Sequence, residues 1–220
     1  LEHLGTAHRE RGDLPEALRR FEAALELRRG ARDAVGVAAD LDHLGKLHMR
    51  LGQYQEAPAQ LREALEQRRA LRDRSGASVT ANHLASVLVV LGELDEARRL
   101  YDECRTFFEE TGQVRALARV QSNLGLLETA QGNVDAAQQH LNASLERLRG
   151  LGDLPGEANA LNNLSSLALV RGRPEEAIDL ARECLVIRRE AGADSGLAKP
   201  LLNLGYGLLE LGRAQEAHAV

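Results

Sequence analysis

The chain is poor in nearly everything that marks an enzyme, a secreted protein or a nucleic-acid binder. It has no tryptophan, one methionine and two cysteines, and aromatic residues make up only 3% of it. Two cysteines cannot build the disulfide framework of a small secreted domain. Lysine is scarce too: only Lys46 and Lys199 stand among 28 basic residues. That arginine bias is typical of GC-rich coding sequence and points to a GC-rich bacterium. The net charge is −5 with a pI near 5.9, so there is no basic footprint of the kind nucleic acid requires. No apolar run approaches the roughly 18 residues of a membrane span, and no signal peptide is visible. Nucleotide-binding, zinc-protease, thiol-redox and serine-hydrolase motifs are missing (no G-x-x-x-x-G-K-[ST], H-E-x-x-H, C-x-x-C or G-x-S-x-G). These absences predict a non-catalytic cytoplasmic protein with no cofactor, no metal and no affinity of its own for nucleic acid or membrane.

What the chain does have is repetition. The stretch 161–177, LNNLSSLALVRGRPEEA, returns as QSNLGLLETAQGNVDAA at 121–137, and again at 81–97, 41–57 and 1–17. One step forward it is LLNLGYGLLELGRAQEA, 201–217. The period is 40 without a slip, giving copies 1–40, 41–80, 81–120, 121–160 and 161–200 and a partial sixth, 201–220. Periods of roughly 20–50 residues mark stacked repeats, each burying its apolar face only against its neighbours. The expectation is therefore a single array over 1–220. Its start and end both fall inside helical pattern and its sole methionine is Met49, as in a fragment of a longer protein.

Each copy carries the parts of a helical hairpin. Leu161, Leu164, Ser165 and Ala168 make the i, i+3, i+4, i+7 stripe of a first helix. A glycine then recurs at 12, 52, 92, 132, 172 and 212, as a helix end needing a left-handed residue predicts. An alanine recurs at 17, 57, 97, 137, 177 and 217, which suggests a close helix–helix crossing. A second stripe follows, for example Phe21, Ala24 and Leu25, or Leu141, Ser144 and Leu145. Asp33, Asp73, Asp153 and Asp194 stand where the N-cap of the next first helix belongs. Pro58 falls at the edge of the tolerated first turn, predicting a slight late start or a kink rather than a break. Cys104 and Cys184 share one register two copies apart, too far for a disulfide, and are expected to be small buried residues. In the third copy Arg105 replaces the leucine found at 25, 65, 145 and 185, and Phe107 and Phe108 follow. Either one ring replaces that leucine in the core, or the pair forms a partner patch.

The pattern Leu4-Gly5, His8, Gly12, Glu16-Ala17, Phe21, Ala24 resembles the tetratricopeptide repeat, and the likeness runs the length of the chain. The 40-residue period is similar to the longer-helix variety of Pins-type G-protein-signalling modulators, kinesin light chain and bacterial regulators that carry a nucleotide-binding switch domain. The resemblance implies an all-α fold, a right-handed superhelical solenoid of antiparallel helix pairs with about 5.5 repeats. It also implies a concave groove lined by one face of the first helices.

On that face one register reads His3, His43, His83, Asn123, Asn163, Asn203, and the register before it includes Asp42, Asn82 and Asn162. One turn away come Arg119, Asn159 and Lys199. Amides carry both donor and acceptor atoms and suit the backbone of an extended peptide. The resemblance implies such contacts for Asn123, Asn163 and Asn203. The plain alternative is ordinary polar residues on an exposed helix. His3, His43 and His83 lie one copy apart, too far to share one metal ion. Two functional classes follow: an interaction scaffold for a peptide, helix or partner domain, or a sensory or autoinhibitory region of a bacterial regulator whose groove takes a segment of the same protein. The sequence leaves the oligomeric state open.

Overall fold

The computed structural model describes residues 6, 8, 12–191 and 196–218. Among these residues there are eleven helices and no strand. The chain divides into two compact units, Leu1–Phe107 and Phe108–Val220. The first contains α1 (Leu14–Gly30), α2 (Ala34–Arg50), α3 (Ala57–Ala70), α4 (Arg74–Leu91) and most of α5 (Leu94–Glu110). The second contains α6 (Val114–Ala130), α7 (Val134–Gly150), α8 (Leu154–Val170), α9 (Pro174–Glu190), α10 (Ala198–Glu210) and α11 (Ala214–His218). Within each unit consecutive helices pack against one another across tight turns, so neighbours run antiparallel, and the first helices of successive copies also touch: α2 with α4, α6 with α8, α8 with α10.

Local chemistry sets the ends of these helices. The side chains of Asp33, Asp73 and Asp153 accept from the backbone N–H of Gly36, Gly76 and Gly156, at 3.0, 2.8 and 3.1 Å. Each satisfies a donor that the first turn cannot. Asp194 and the Leu4-Gly5 pair lie outside the described residues. At the other end of the first helices the recurring glycines take positive φ; Gly92, at 82°, is itself the C-cap of α4. The helix after Gly52 starts late, at Ala57 with Pro58 in its first turn, and has 14 residues where its counterparts have 17.

The hairpin crossing is close. Ala17, Ala57, Ala97, Ala137 and Ala177 are all fully buried. Across from them the first helices carry Gly45, Ala85, Gly125 and Ser165 in one register. A Cβ placed on Gly45 would lie 2.5 Å from Leu61 Cγ; one on Gly125 would lie 2.6 Å from Leu141 Cγ and 3.3 Å from the carbonyl oxygen of Ala137. Where Ser165 replaces the glycine, Ala181 occupies the register of Leu61 and Leu141, and the serine donates to the Ala177 carbonyl at 2.8 Å. Volume is exchanged across the crossing, as close packing demands.

Side chains also tie the two helices of a pair together, and the second helices of successive pairs. Cys104, Ser144 and Cys184 share one register and donate to the carbonyls of Ser78, Ala118 and Ala158, at 3.1, 2.7 and 3.1 Å. Both cysteines are buried and unpaired. Burial pushes the Cys104 thiol up to about 12 and raises that of Cys184 as well. On the second helices, Arg29 bonds Glu63 at 2.8 Å and Arg69 bonds Glu103 at 2.9 Å; Arg149 repeats the bond with Glu183. These pairs are exposed, and each is worth at most about 1 kcal/mol.

Of the two rings in the third copy, Phe108 is buried and takes the register of the buried Leu148. Phe107 is half-buried, with the Arg74 guanidinium 5.1 Å from its centroid.

Candidate functional site

In the second unit the candidate face belongs to α6, α8 and α10. The apolar stripe of each helix turns Leu124, Leu164 and Leu204 into the core, which leaves the residue before each of them half-buried at the surface: Asn123, Asn163 and Asn203. Their amides are not independent. Asn163 Nδ2 donates to Ser122 Oγ at 3.0 Å, one copy back. Asn203 Nδ2 donates to the Asn162 carbonyl at 3.2 Å and to Ser166 Oγ at 2.8 Å. The amide donors thus join successive first helices. Among the described residues nothing donates to Oδ1 of Asn163 or Asn203, so each keeps its carbonyl oxygen as an acceptor.

The register before the ladder is placed differently. Asn82 and Asn162 are buried, 7% and 8% exposed, wedged where successive first helices meet. Asn162 serves as acceptor for Asn203 and supports the ladder from below. The residues one turn away are exposed: Arg119, Asn159 and Lys199. Arg119 and Asn159 border a cavity of about 170 Å³ together with Arg115 and Ser122. Arg115 Nε is held by Asp153 at 2.7 Å, and Asn159 Oδ1 accepts from Arg188 Nη2 at 2.7 Å. Leu126, Val170, Leu202 and Tyr206 lie on the same helices, 41–61% exposed. The face therefore alternates amide acceptors with apolar surface.

In the first unit the same register is carried by α2 and α4. His43 packs its ring against Phe21, with centroids 4.7 Å apart. His83 Nδ1 donates to Asp42 Oδ1 at 2.9 Å, Thr80 donates to the same oxygen at 3.0 Å, and Lys46 Nζ reaches Oδ2 at 2.8 Å. Asp42 is 4% exposed. Burial opposes its ionisation, but the hydrogen bond from His83, with the further attraction of His83 and Lys46, outweighs that and holds its carboxyl well below the usual carboxylate range. His3, in the same register, lies outside the described residues. Among the described residues no group of three or more His, Cys, Asp or Glu is placed to hold a metal ion. Sequence spacing had put Asp42 beside the ladder; the bonds of His83 and Thr80 to it follow from a residue in one copy meeting residues 38 and 41 positions later, an offset no single repeat displays.

The model of the Tetratricopeptide repeat matches residues 1–70, 76–150, 116–190 and 156–220, and a second model of the same description matches 43–106. The chain belongs to the tetratricopeptide-repeat family. Solved structures with the same fold include BtubC from P. vanneervenii, at TM-score 0.72 and 22% identity over 94% of this chain and 87% of that one. NprR in complex with its cognate peptide NprX is similar at TM-score 0.76 and 13% identity, over 98% of this chain and 62% of that one. A Rap protein complexed with Competence and Sporulation Factor is similar at TM-score 0.75 and 14% identity, over 92% and 62%. No curated protein matches the sequence. Among the described residues no helix is long and apolar enough to cross a membrane.

Proposed function

We propose that this tetratricopeptide-repeat chain is a non-catalytic interaction scaffold, and that the face of α6, α8 and α10 holds an extended polypeptide segment. The observation that carries it is the tethered ladder. The lateral bonds of Asn163 and Asn203 fix two amides one copy apart, each with an acceptor left over, and Asn123 continues the register. An extended peptide presents N–H donors that need partners, and the exposed Leu126, Val170 and Tyr206 offer apolar surface to its side chains. The reading is supported by two neighbours of the same fold, NprR solved with its cognate peptide NprX and a Rap protein solved with Competence and Sporulation Factor. The cytoplasm is the compartment that suits the two unoxidised buried thiols.

The test is to pan a displayed peptide library on the 220-residue chain and titrate the winners against Asn163→Ala and Asn203→Ala. Loss of a backbone partner costs about 1–3 kcal/mol, so each variant weakens binding roughly ten-fold or more, and N-methylation of the matching peptide nitrogen does the same. Winners that bind both variants and the methylated peptides unchanged refute the proposal. A second reading, a sensory or autoinhibitory region of a bacterial regulator, takes its support from the likeness to NprR in complex with its cognate peptide; it predicts that the best ligand is a segment of the same protein.

A further inference from the structure

The first unit holds a cavity of about 460 Å³ where α3, α4 and α5 meet. Its origin is a local loss of volume. One copy earlier Leu25, Val37 and Leu41 pack together in the core, and three copies later Leu185, Leu197 and Leu201 do the same. The residues in those registers here are Leu65, Ala77 and Ala81, and all three line the cavity. Alanine at the two α4 positions takes away the branched side chains that fill this space in those copies.

The polar side chains around the space are engaged with one another. The Cys104 thiol donates to the Ser78 carbonyl at 3.1 Å, and the Ser78 hydroxyl donates to the Arg74 carbonyl at 3.0 Å. Glu103 accepts from Arg69 at 2.9 Å, while Asp73 accepts from the Gly76 N–H at 2.8 Å and faces Arg68 at 3.4 Å. Arg74 lies over the Phe107 ring, 5.1 Å from its centroid. Arg72 belongs to the exposed turn between α3 and α4. What fills the cavity therefore has little polar bonding to satisfy, and Leu65, Ala77 and Ala81 give it apolar contact. Phe107 forms one wall, and an aromatic ring gains more from a second ring beside it than its buried area alone provides. We propose that the cavity binds a neutral aromatic compound of one or two rings, seated on Leu65, Ala77 and Ala81 with its ring against Phe107. The volume lies within the range of about 300–1,000 Å³ of small-ligand sites, which are mostly apolar. The site shares no residue with the face of α6, α8 and α10 and stands independently of it.

The chain has no tryptophan, so added indole can be excited alone, and its emission moves to the blue when it leaves water. The test is a titration of indole with the whole chain at pH 7, followed by displacement with benzyl alcohol, cyclohexylmethanol and benzoate. The expected result is a saturable blue shift, reversed by benzyl alcohol about three-fold or more as effectively as by its saturated or its anionic counterpart. Ala77→Val/Ala81→Leu, which restores the residues of the preceding copy, should abolish the shift while the melting temperature stays equal or rises. Phe107→Leu adds no volume and removes the ring, and should weaken indole binding by about three-fold or more. Absence of a saturable shift up to the solubility of indole overturns the site, and so does an undiminished shift in either variant. Equal displacement by cyclohexylmethanol overturns the aromatic class, and stronger displacement by benzoate overturns the neutral one.

Discussion

Gly125 offers the sharpest test of how these hairpins pack. Alanine is a better helix former than glycine by about 0.8–1.0 kcal/mol, so Gly125→Ala in the middle of α6 should stabilise if packing were indifferent. It is not: the new methyl would sit 2.6 Å from Leu141 Cγ and 2.7 Å from Cδ2, with the Ala137 carbonyl oxygen at 3.3 Å on the other side. Optimal carbon contacts lie at about 3.5–4.0 Å, so Leu141 must move by about 1 Å in a fully buried site. Overpacking of this kind costs about 1–3 kcal/mol, leaving a net loss of about 0–2 kcal/mol. In a Leu141→Ala background, itself costing about 2–5 kcal/mol, the leucine clash is gone and only the 3.3 Å approach to the Ala137 carbonyl oxygen remains, so Gly125→Ala should stabilise by up to about 1 kcal/mol. Ser165 facing the Ala181 register shows the chain already using that combination. Urea melts of the four proteins, followed by far-UV circular dichroism, give the coupling directly. Equal effects of Gly125→Ala in both backgrounds, within about 0.5 kcal/mol, would refute the packing argument.

Three further outcomes are expected. Ala97→Leu and Ala137→Leu, at fully buried positions, should each destabilise by about 1–3 kcal/mol in chemical melts; unchanged midpoints would mean a looser crossing. Asp42 has a depressed folded pKa, so its contribution is present above its unfolded value of about 3.9 and is lost as pH falls below that toward the folded value. Asp42→Asn should therefore lower stability at pH 7 by about 1–3 kcal/mol and flatten the acid limb below about pH 4, and an unaltered acid limb would contradict the pairing. With their thiols raised by burial, Cys104 and Cys184 should resist a disulfide-exchange reagent at pH 8 in the native protein and react fully in urea, whereas rapid native labelling would show that they are accessible.

The sequence by itself determined the hairpins, because everything that makes them is local or periodic. Asp33, Asp73 and Asp153 reach a backbone N–H three residues on, the recurring glycine takes the left-handed turn within its own copy, and a 3.6-residue stripe names the buried side of each helix wherever that helix goes. Burial of Ala137, Leu141, Leu161 and both cysteines follows from the same pattern. What only the tertiary structure decided is how one copy meets the next. Periodicity gives the face of a helix but not its stagger against a neighbour. The bonds of Asn163 to Ser122 and His83 to Asp42, each spanning 41 residues, therefore follow from no single repeat, nor does the burial of Asn82 and Asn162. The cavity under Phe107 has the same cause. Ala77, Ala81 and Arg74 are unremarkable in their own helix, and they enclose a space only because α3 and α5 hold Leu65 and Phe107 at a fixed distance from α4.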